Sequence, residues 1–139
     1  GSDVVSVSPQ TSAREAAKIL NDKNIGCVIV MDDSKRLMGM VSESDIVKCI
    51  ADSRDEMIEK PVSEIMPSEL WICDLDSSVE ALIADVKKHH IRHLPVMDGD
   101  VLAGVVSVTD LVDLRVAKAE YSTGKRLDSL FRKKGVRRL

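Results

Sequence analysis

The sequence predicts an α/β protein built from one β-α-β-β-α unit used twice. Three observations carry that prediction. Sliding the 139-residue chain by 66 positions lays its first half on its second. Within each half, short apolar runs of strand character alternate with residues at helical spacing. Finally, residues 39–45 (GMVSESD) and 104–110 (GVVSVTD) repeat the stretch Gly-x-x-Ser-x-x-Asp at matching places. Repeats of this kind define an architecture before any single motif does.

The match runs through the whole unit. Ser12 meets Ser78, Ile25 meets Ile91, and Val30-Met31-Asp32 meets Val96-Met97-Asp98. After a one-residue gap near Lys35 the offset becomes 65. Leu37 then meets Leu102, Gly39 meets Gly104, Ser42 meets Ser107, and Asp45 meets Asp110. Each unit opens on a β-rich run, Val4–Val7 or Leu70–Cys73. The polar stops SPQTS and DLDSS follow, with Ser and Thr suited to capping a helix. Ala13, Ala16, Ala17 and Leu20 recur at helical spacing, as do Val79, Leu82, Ile83 and Val86. A continuous apolar strand comes next, Cys27–Met31 or Leu94–Met97. The turns DDSKR and DGD lead into Leu37–Val41 and Val101–Val106, the second turn carrying an Asp-Gly hairpin signal. A last helix opens at Ser42 or Ser107. The predicted divisions are residues 3–60, 61–120 and a basic helix or tail over 121–139. PVSEIMPS, residues 61–68, is the helix-breaking connector. A unit of about 60 residues buries too little apolar surface to stand alone. Strands apolar on both faces need cover on two sides. The two units are therefore expected to pack through their sheets about a pseudo-two-fold axis.

Composition narrows the function classes. The core must be aliphatic, because the chain has one Trp, one Tyr and one Phe. So few aromatic platforms argue against single-stranded nucleic-acid binding. The net charge of −3 is unevenly spread. Residues 122–139 hold seven basic residues and one acid, leaving 13 basic and 22 acidic residues elsewhere, so the body carries about −9 and the tail about +6. Such a tail is expected either to contact something acidic, on the body or on a partner, or to be a solvated helix end. Cys27, Cys49 and Cys73 are odd in number and form no Cys-x-x-Cys pair, so they read as reduced, buried thiols of a cytoplasmic protein. No apolar run reaches membrane-spanning length. Gly1-Ser2 reads as an added pair, so the natural start is expected upstream.

The repeated stretch has two readings. Gly39 and Gly104 would let another group approach the strand backbone closely. Ser42 and Ser107 would then cap a helix whose N-terminus is a ready anion site. The hydroxyls of Ser42, Ser44, Ser107 and Thr109 could donate to a phosphate. The carboxylates of Asp45 and Asp110 only accept, which suits the two donors of a ribose diol. Phosphate and ribose at one helix start make a nucleotide site. The plainer reading is that Ser-x-x-Asp before an apolar run is a capping box. Both readings stand on the residues alone.

NIGCVIVMDDSKRLMGMVSESD in the first repeat and HIRHLPVMDGDVLAGVVSVTD in the second resemble the CBS domain, two of which in tandem form a Bateman module. The resemblance covers about residues 3–117 and implies adenosyl ligands in clefts between the repeats: AMP or ATP first, with ADP, NAD and S-adenosylmethionine as further candidates, and no metal. It implies that Asp45 and Asp110 hold ribose, with Ser42, Ser44, Ser107 and Thr109 beside ribose or phosphate. It points to Ile25, Gly26, Cys27, Ile91, Arg92 and His93 at the adenine or phosphate end. Backbone contacts to adenine fall to Ser6, Val7, Ile72 and Cys73. It also implies a homodimer paired through helices, with Ile46, Val47 and Ile50 matching Leu111, Val112 and Leu114. The lead-in PVSEIM precedes only the second repeat, which leaves room for an attached catalytic or transporter domain and an unknown regulated partner.

Arg92 and His93 therefore read as a phosphate clamp, for which the guanidinium fork is well shaped. Against it stands a surface-charged strand entry. Because Gly26 and Cys27 hold the matching places, the two sites are expected to differ. His89 and His90 suit a helix C-terminus on dipole grounds. No nucleophile–base pair, metal-ligand spacing or P-loop is present, so a non-catalytic regulatory binder is the expectation. The alternatives are a dimerisation module without ligand and a nucleic-acid binder working through the basic tail.

Overall fold

Ser12 and Ser78 lie 66 positions apart and do the same work. Each hydroxyl accepts the backbone N–H three residues on, from Glu15 at 3.0 Å and from Ala81 at 3.3 Å, and so starts a helix. This removes one of the orphan donors that every helix start carries. The computed structural model describes residues 4–52, 55–112 and 135–139. They fall into two compact units, divided between Leu70 and Trp71.

The first unit runs β1 (Ser6–Val7), α1 (Ala13–Lys23), β2 (Cys27–Met31), β3 (Leu37–Ser42) and α2 (Glu43–Ala51). Its sheet has the order β1-β2-β3, with β1 parallel and β3 antiparallel to β2. The second unit runs β4 (Trp71–Asp74), α3 (Val79–His89), β5 (His93–Asp98) and β6 (Val101–Ser107), then a helical run over 108–112. The predicted β-α-β-β-α order holds in both. Even the irregularity is repeated: the antiparallel register slips between Val30 and Met31, and again between Val96 and Met97. Asn24 and His90 both end their helices in the left-handed conformation, at φ 51° and 54°. The Asp-Gly turn between β5 and β6 also forms, with Gly99 at φ 63°.

The cores are aliphatic, as expected. Ala13, Ala16, Leu20, Val28, Val30, Val41, Ile46 and Val62 cluster in the first unit. Cys73, Leu82, Val86, Leu94 and Leu111 cluster in the second. The final helices bury one stripe and expose another. Ile46 and Leu111 are buried, whereas Val47, Ile50 and Val112 are exposed. Leu114 lies outside the described residues.

Three features differ from the sequence reading. The opening strand Val4–Val7 shrinks to two residues, because only Ser6 and Val7 find register with Ile29 and Val30. The connector packs onto the first unit: Val62 is fully buried there, its N–H donates to Thr11 O at 2.7 Å, and Ala13 N donates to Lys60 O at 2.9 Å. The end of the basic tail is a strand, β7 (Arg137–Arg138), lying antiparallel on β4 to give the order β6-β5-β4-β7. The rest of the predicted tail, residues 121–134, lies outside the described residues.

Candidate functional site

Each Gly-x-x-Ser-x-x-Asp stretch turns from a strand into a helix, and both turns are built alike. Ser42 N donates to Asp45 Oδ2 at 2.7 Å, and Asp45 N lies 3.4 Å from Ser42 Oγ. Ser107 N donates to Asp110 Oδ2 at 2.8 Å, and Asp110 N donates to Ser107 Oγ at 3.1 Å. The capping box is therefore real in both repeats. The first helical N–H is also used in both: Glu43 N donates to Gly26 O at 3.0 Å and Val108 N to Arg92 O at 3.1 Å. A phosphate at either helix start finds fewer free donors than a bare N-terminus would offer.

Capping does not exhaust the carboxylates. The bonds these two carboxylates accept end on Oδ2, so Oδ1 of Asp45 and of Asp110 stays uncommitted among the described residues. Around Asp45 the hydroxyls are linked: Ser42 Oγ donates to Asp45 Oδ2 at 3.0 Å and lies 2.8 Å from Ser44 Oγ. The Ser107 N–H holds the Asp110 carboxyl below its ordinary value, with the His93 charge adding a smaller push. Asp110 is thus an anion well into the acid range, an acceptor for hydroxyl donors.

The same two bonds fix which other residues share the site. Cys27 pairs with Ser42 and His93 with Ser107, so the entries of β2 and β5 sit beside their helix starts. Ile25, Gly26 and Cys27 therefore gather with Ser42, Ser44 and Asp45, and Ile91, Arg92 and His93 with Ser107, Thr109 and Asp110. Arg92 is exposed and His93 half-buried. Ser6 and Val7 lie farther along the sheet, level with Ile29 and Val30, and Cys73 lies level with Val96. The Ile72 and Cys73 side chains are buried, which leaves the backbone as their route to a ligand. Burial, then the Asp45 charge, pushes the Cys27 thiol up to about 11; burial and Asp74 push Cys73 up to about 12. Both stay protonated at neutral pH, so neither is a ready nucleophile.

The two glycines part company. A Cβ on Gly39 would lie 2.6 Å from Met66 Sδ, so the close approach predicted there is made by the connector's own methionine. Gly104 has nothing within 4 Å among the described residues. Nor does any group of three or more His, Cys, Asp or Glu among the described residues form a metal-holding cluster. None of the described helices is long and apolar enough to cross a membrane. Sequence reasoning missed the packing around Trp71, whose ring stacks on His89 at 4.3 Å and lies 5.1 Å from the Arg138 guanidinium. It also missed the pairing of Arg137 with Asp74, for which the tail's excess charge was the only signal.

The CBS domain family model matches residues 1–52 and 62–117. The chain belongs to the CBS-domain family. The CBS domain-containing protein YhcV of Bacillus subtilis is 35% identical over 109 residues, covering 78% of this chain and 76% of YhcV. Several curated relatives are much longer, the chain spanning 29%, 36% and 34% of three of them. One longer relative is an enzyme by name, arabinose 5-phosphate isomerase KdsD of Yersinia pestis, 28% identical over 113 residues that cover 81% of this chain and 34% of KdsD. Among solved structures, the CBS domain pair of MJ0100 in complex with 5′-methylthioadenosine and S-adenosylmethionine has a TM-score of 0.72 and 27% identity, covering 85% of this chain and 92% of that one. CBSX2 in complex with AMP has a TM-score of 0.69 and 26% identity, covering 84% and 89%.

Proposed function

We propose that this CBS pair is a regulatory, non-catalytic module that binds an adenosyl ligand, AMP before ATP, at the strand–helix junctions. The observation that carries the reading is the duplicated junction itself: a capped helix start and an aspartate with one oxygen uncommitted among the described residues, with linked hydroxyls added in the first repeat. A capping box alone needs only one carboxylate oxygen. The uncommitted oxygen suits a ribose hydroxyl, and in the second repeat Arg92 adds a cation suited to phosphate. The adenosyl ligands of MJ0100 and CBSX2 support the same class. The test is a thermal melt of the protein with AMP, ATP, S-adenosylmethionine and 5′-methylthioadenosine in turn. A ligand bound only by the folded state stabilises it by about 2.7 kcal/mol at a hundredfold excess over Kd. AMP is expected to raise Tm by several degrees. A Tm unmoved by all four at millimolar concentration ends the proposal.

The exposed stripes support a homodimer as well. Val47 and Ile50 are 63% and 54% exposed on α2, and Val112 is 48% exposed on the matching helix. Two-fold pairing of such faces is the commonest way to cover them. Light scattering at micromolar concentration should give twice the chain mass, and Val47→Asp/Ile50→Asp should give the monomer. A wild-type monomer, with and without AMP, removes the dimer from the proposal. The nucleic-acid alternative gains nothing from the structure, since Arg137 is engaged with Asp74.

A further inference from the structure

Ser6 and Ile72 are equivalent positions of the two repeats, 66 residues apart. Their backbones point the same way within their sheets. Ile29 N donates to Val5 O at 2.9 Å, so the odd residues of β1 bond to β2 and Ser6 faces the outer edge. Leu75 N donates to Met97 O at 3.0 Å, so the odd residues of β4 bond to β5 and Ile72 faces outward. Successive residues of a strand alternate in the side to which they bond. From there the repeats differ. Among the described residues no strand lies outside β1, whereas β7 lies outside β4 with Arg137 opposite Ile72.

The segment that makes this difference is held at four successive residues. Gly135 sits against the Asp85 carboxylate, where a Cβ would collide. Val136 N donates to Asp85 Oδ2 at 3.0 Å. Arg137 grips Asp74 with both arms, Nε to Oδ2 at 3.0 Å and Nη2 to Oδ1 at 2.9 Å. Arg138 lies over Trp71. The side chains of Arg137 and Asp74 are 49% and 12% exposed, so the pair is only partly screened by water. Paired in this way the edge of β4 is no longer an open template, while that of β1 has no partner strand among the described residues.

We propose that Gly135–Leu139 is an internal competitor at the second repeat. It covers the Ile72 backbone, the counterpart of the Ser6 backbone, which no strand of the described residues covers in the first repeat. This rests on the reading that an adenosyl ligand binds each repeat and that its base reads the backbone of that strand. The first repeat then binds ligand freely. The second binds it only as β7 yields, and the release of β7 is the signal a partner can detect.

The full-length Asp45→Asn protein, whose first site is impaired, isolates the second. AMP is titrated into it by calorimetry, with and without Arg137→Glu, which removes the bidentate grip and sets two anions face to face. Arg137 is exposed, so the core is untouched, and a thermal melt checks this. Arg137→Glu is expected to tighten AMP binding about five- to tenfold, and Arg137→Ala to do so less, as fits loss of one charge-assisted pair. Trp71, the chain's one tryptophan, reports on the segment independently. Its emission in wild type should move, on saturation with AMP, towards that of ligand-free Arg137→Glu. Unchanged affinity in both variants, or second-repeat binding that leaves Trp71 emission still, overturns the competitor. Absence of AMP, S-adenosylmethionine and 5′-methylthioadenosine binding from wild type and variants alike has a different signature: it removes the ligand reading, and the competitor with it.

Discussion

The Asp45→Asn/Asp110→Asn protein should fold normally and lose its stabilisation by AMP. Asparagine keeps a side-chain oxygen where Ser42 N and Ser107 N donate, at 2.7 and 2.8 Å in the wild type. The capping geometry therefore survives. What changes is the other half of the carboxylate: an acceptor becomes an NH2 group, and a donor then faces the hydroxyl donors of a ribose. A hydrogen bond to a charged acceptor contributes about 1.5–3 kcal/mol, so losing such bonds costs at least about tenfold in affinity per site. The fold itself should lose less. The Asp110 carboxyl is depressed first by the Ser107 N–H. Its stabilising contribution is thus present above the unfolded value near pH 4 and is lost as pH falls through the lower folded value. Neutral asparagine gives up that contribution at pH 7, a modest loss for a side chain that keeps its hydrogen bond. Melts of wild type and variant with and without AMP separate the two effects. If AMP raises both Tm values equally, the carboxylates cap helices and nothing more.

Much of this arrangement is legible in the sequence, because local chemistry decides it. Ser12 and Ser78 cap helices, Asn24 and His90 close them, and the Ser–Asp pairs at 42/45 and 107/110 form boxes, each within a span of about four residues. The offset of 66 extends these signals into a whole fold. What escaped is set by distant partners. Met66 fills the space over Gly39, and Val62 plugs the first core, though a connector broken by prolines shows no periodicity to announce either. Arg137–Arg138 has no strand pattern at all. It becomes a strand because Asp74 and Trp71, more than 60 residues earlier, offer it a carboxylate and a ring. A charge excess indicates that a tail seeks acid; it does not say which carboxylate, and here that choice decides that the β4 edge is the one covered.

Leu94→Ala should be the most damaging single truncation in the second repeat. Leu94 is 1% exposed and packs with Cys73, Leu82, Val86 and Leu111, so strand, helix and final helical run all meet on it. Removing its isobutyl end deletes buried carbon and leaves a cavity that close-packed neighbours refill only in part. Such changes cost about 2–5 kcal/mol, a large share of the roughly 5–15 kcal/mol that holds a domain together. Val28, the counterpart in the first repeat, is fully buried too, but Val28→Ala removes less carbon and should cost less. The damage should reach the ligand. Leu94 pairs with Val106, directly beside the His93–Ser107 pair at the helix start, so a cavity there removes support from the second junction. Urea unfolding should show the midpoint falling with the slope unchanged. AMP should restore part of the loss by mass action, but less than it adds to wild type, because the loosened junction binds it more weakly. An unaltered midpoint would mean that Leu94 is not buried as described. An undiminished AMP increment would mean that the ligand is held elsewhere than at the β5–β6 junction.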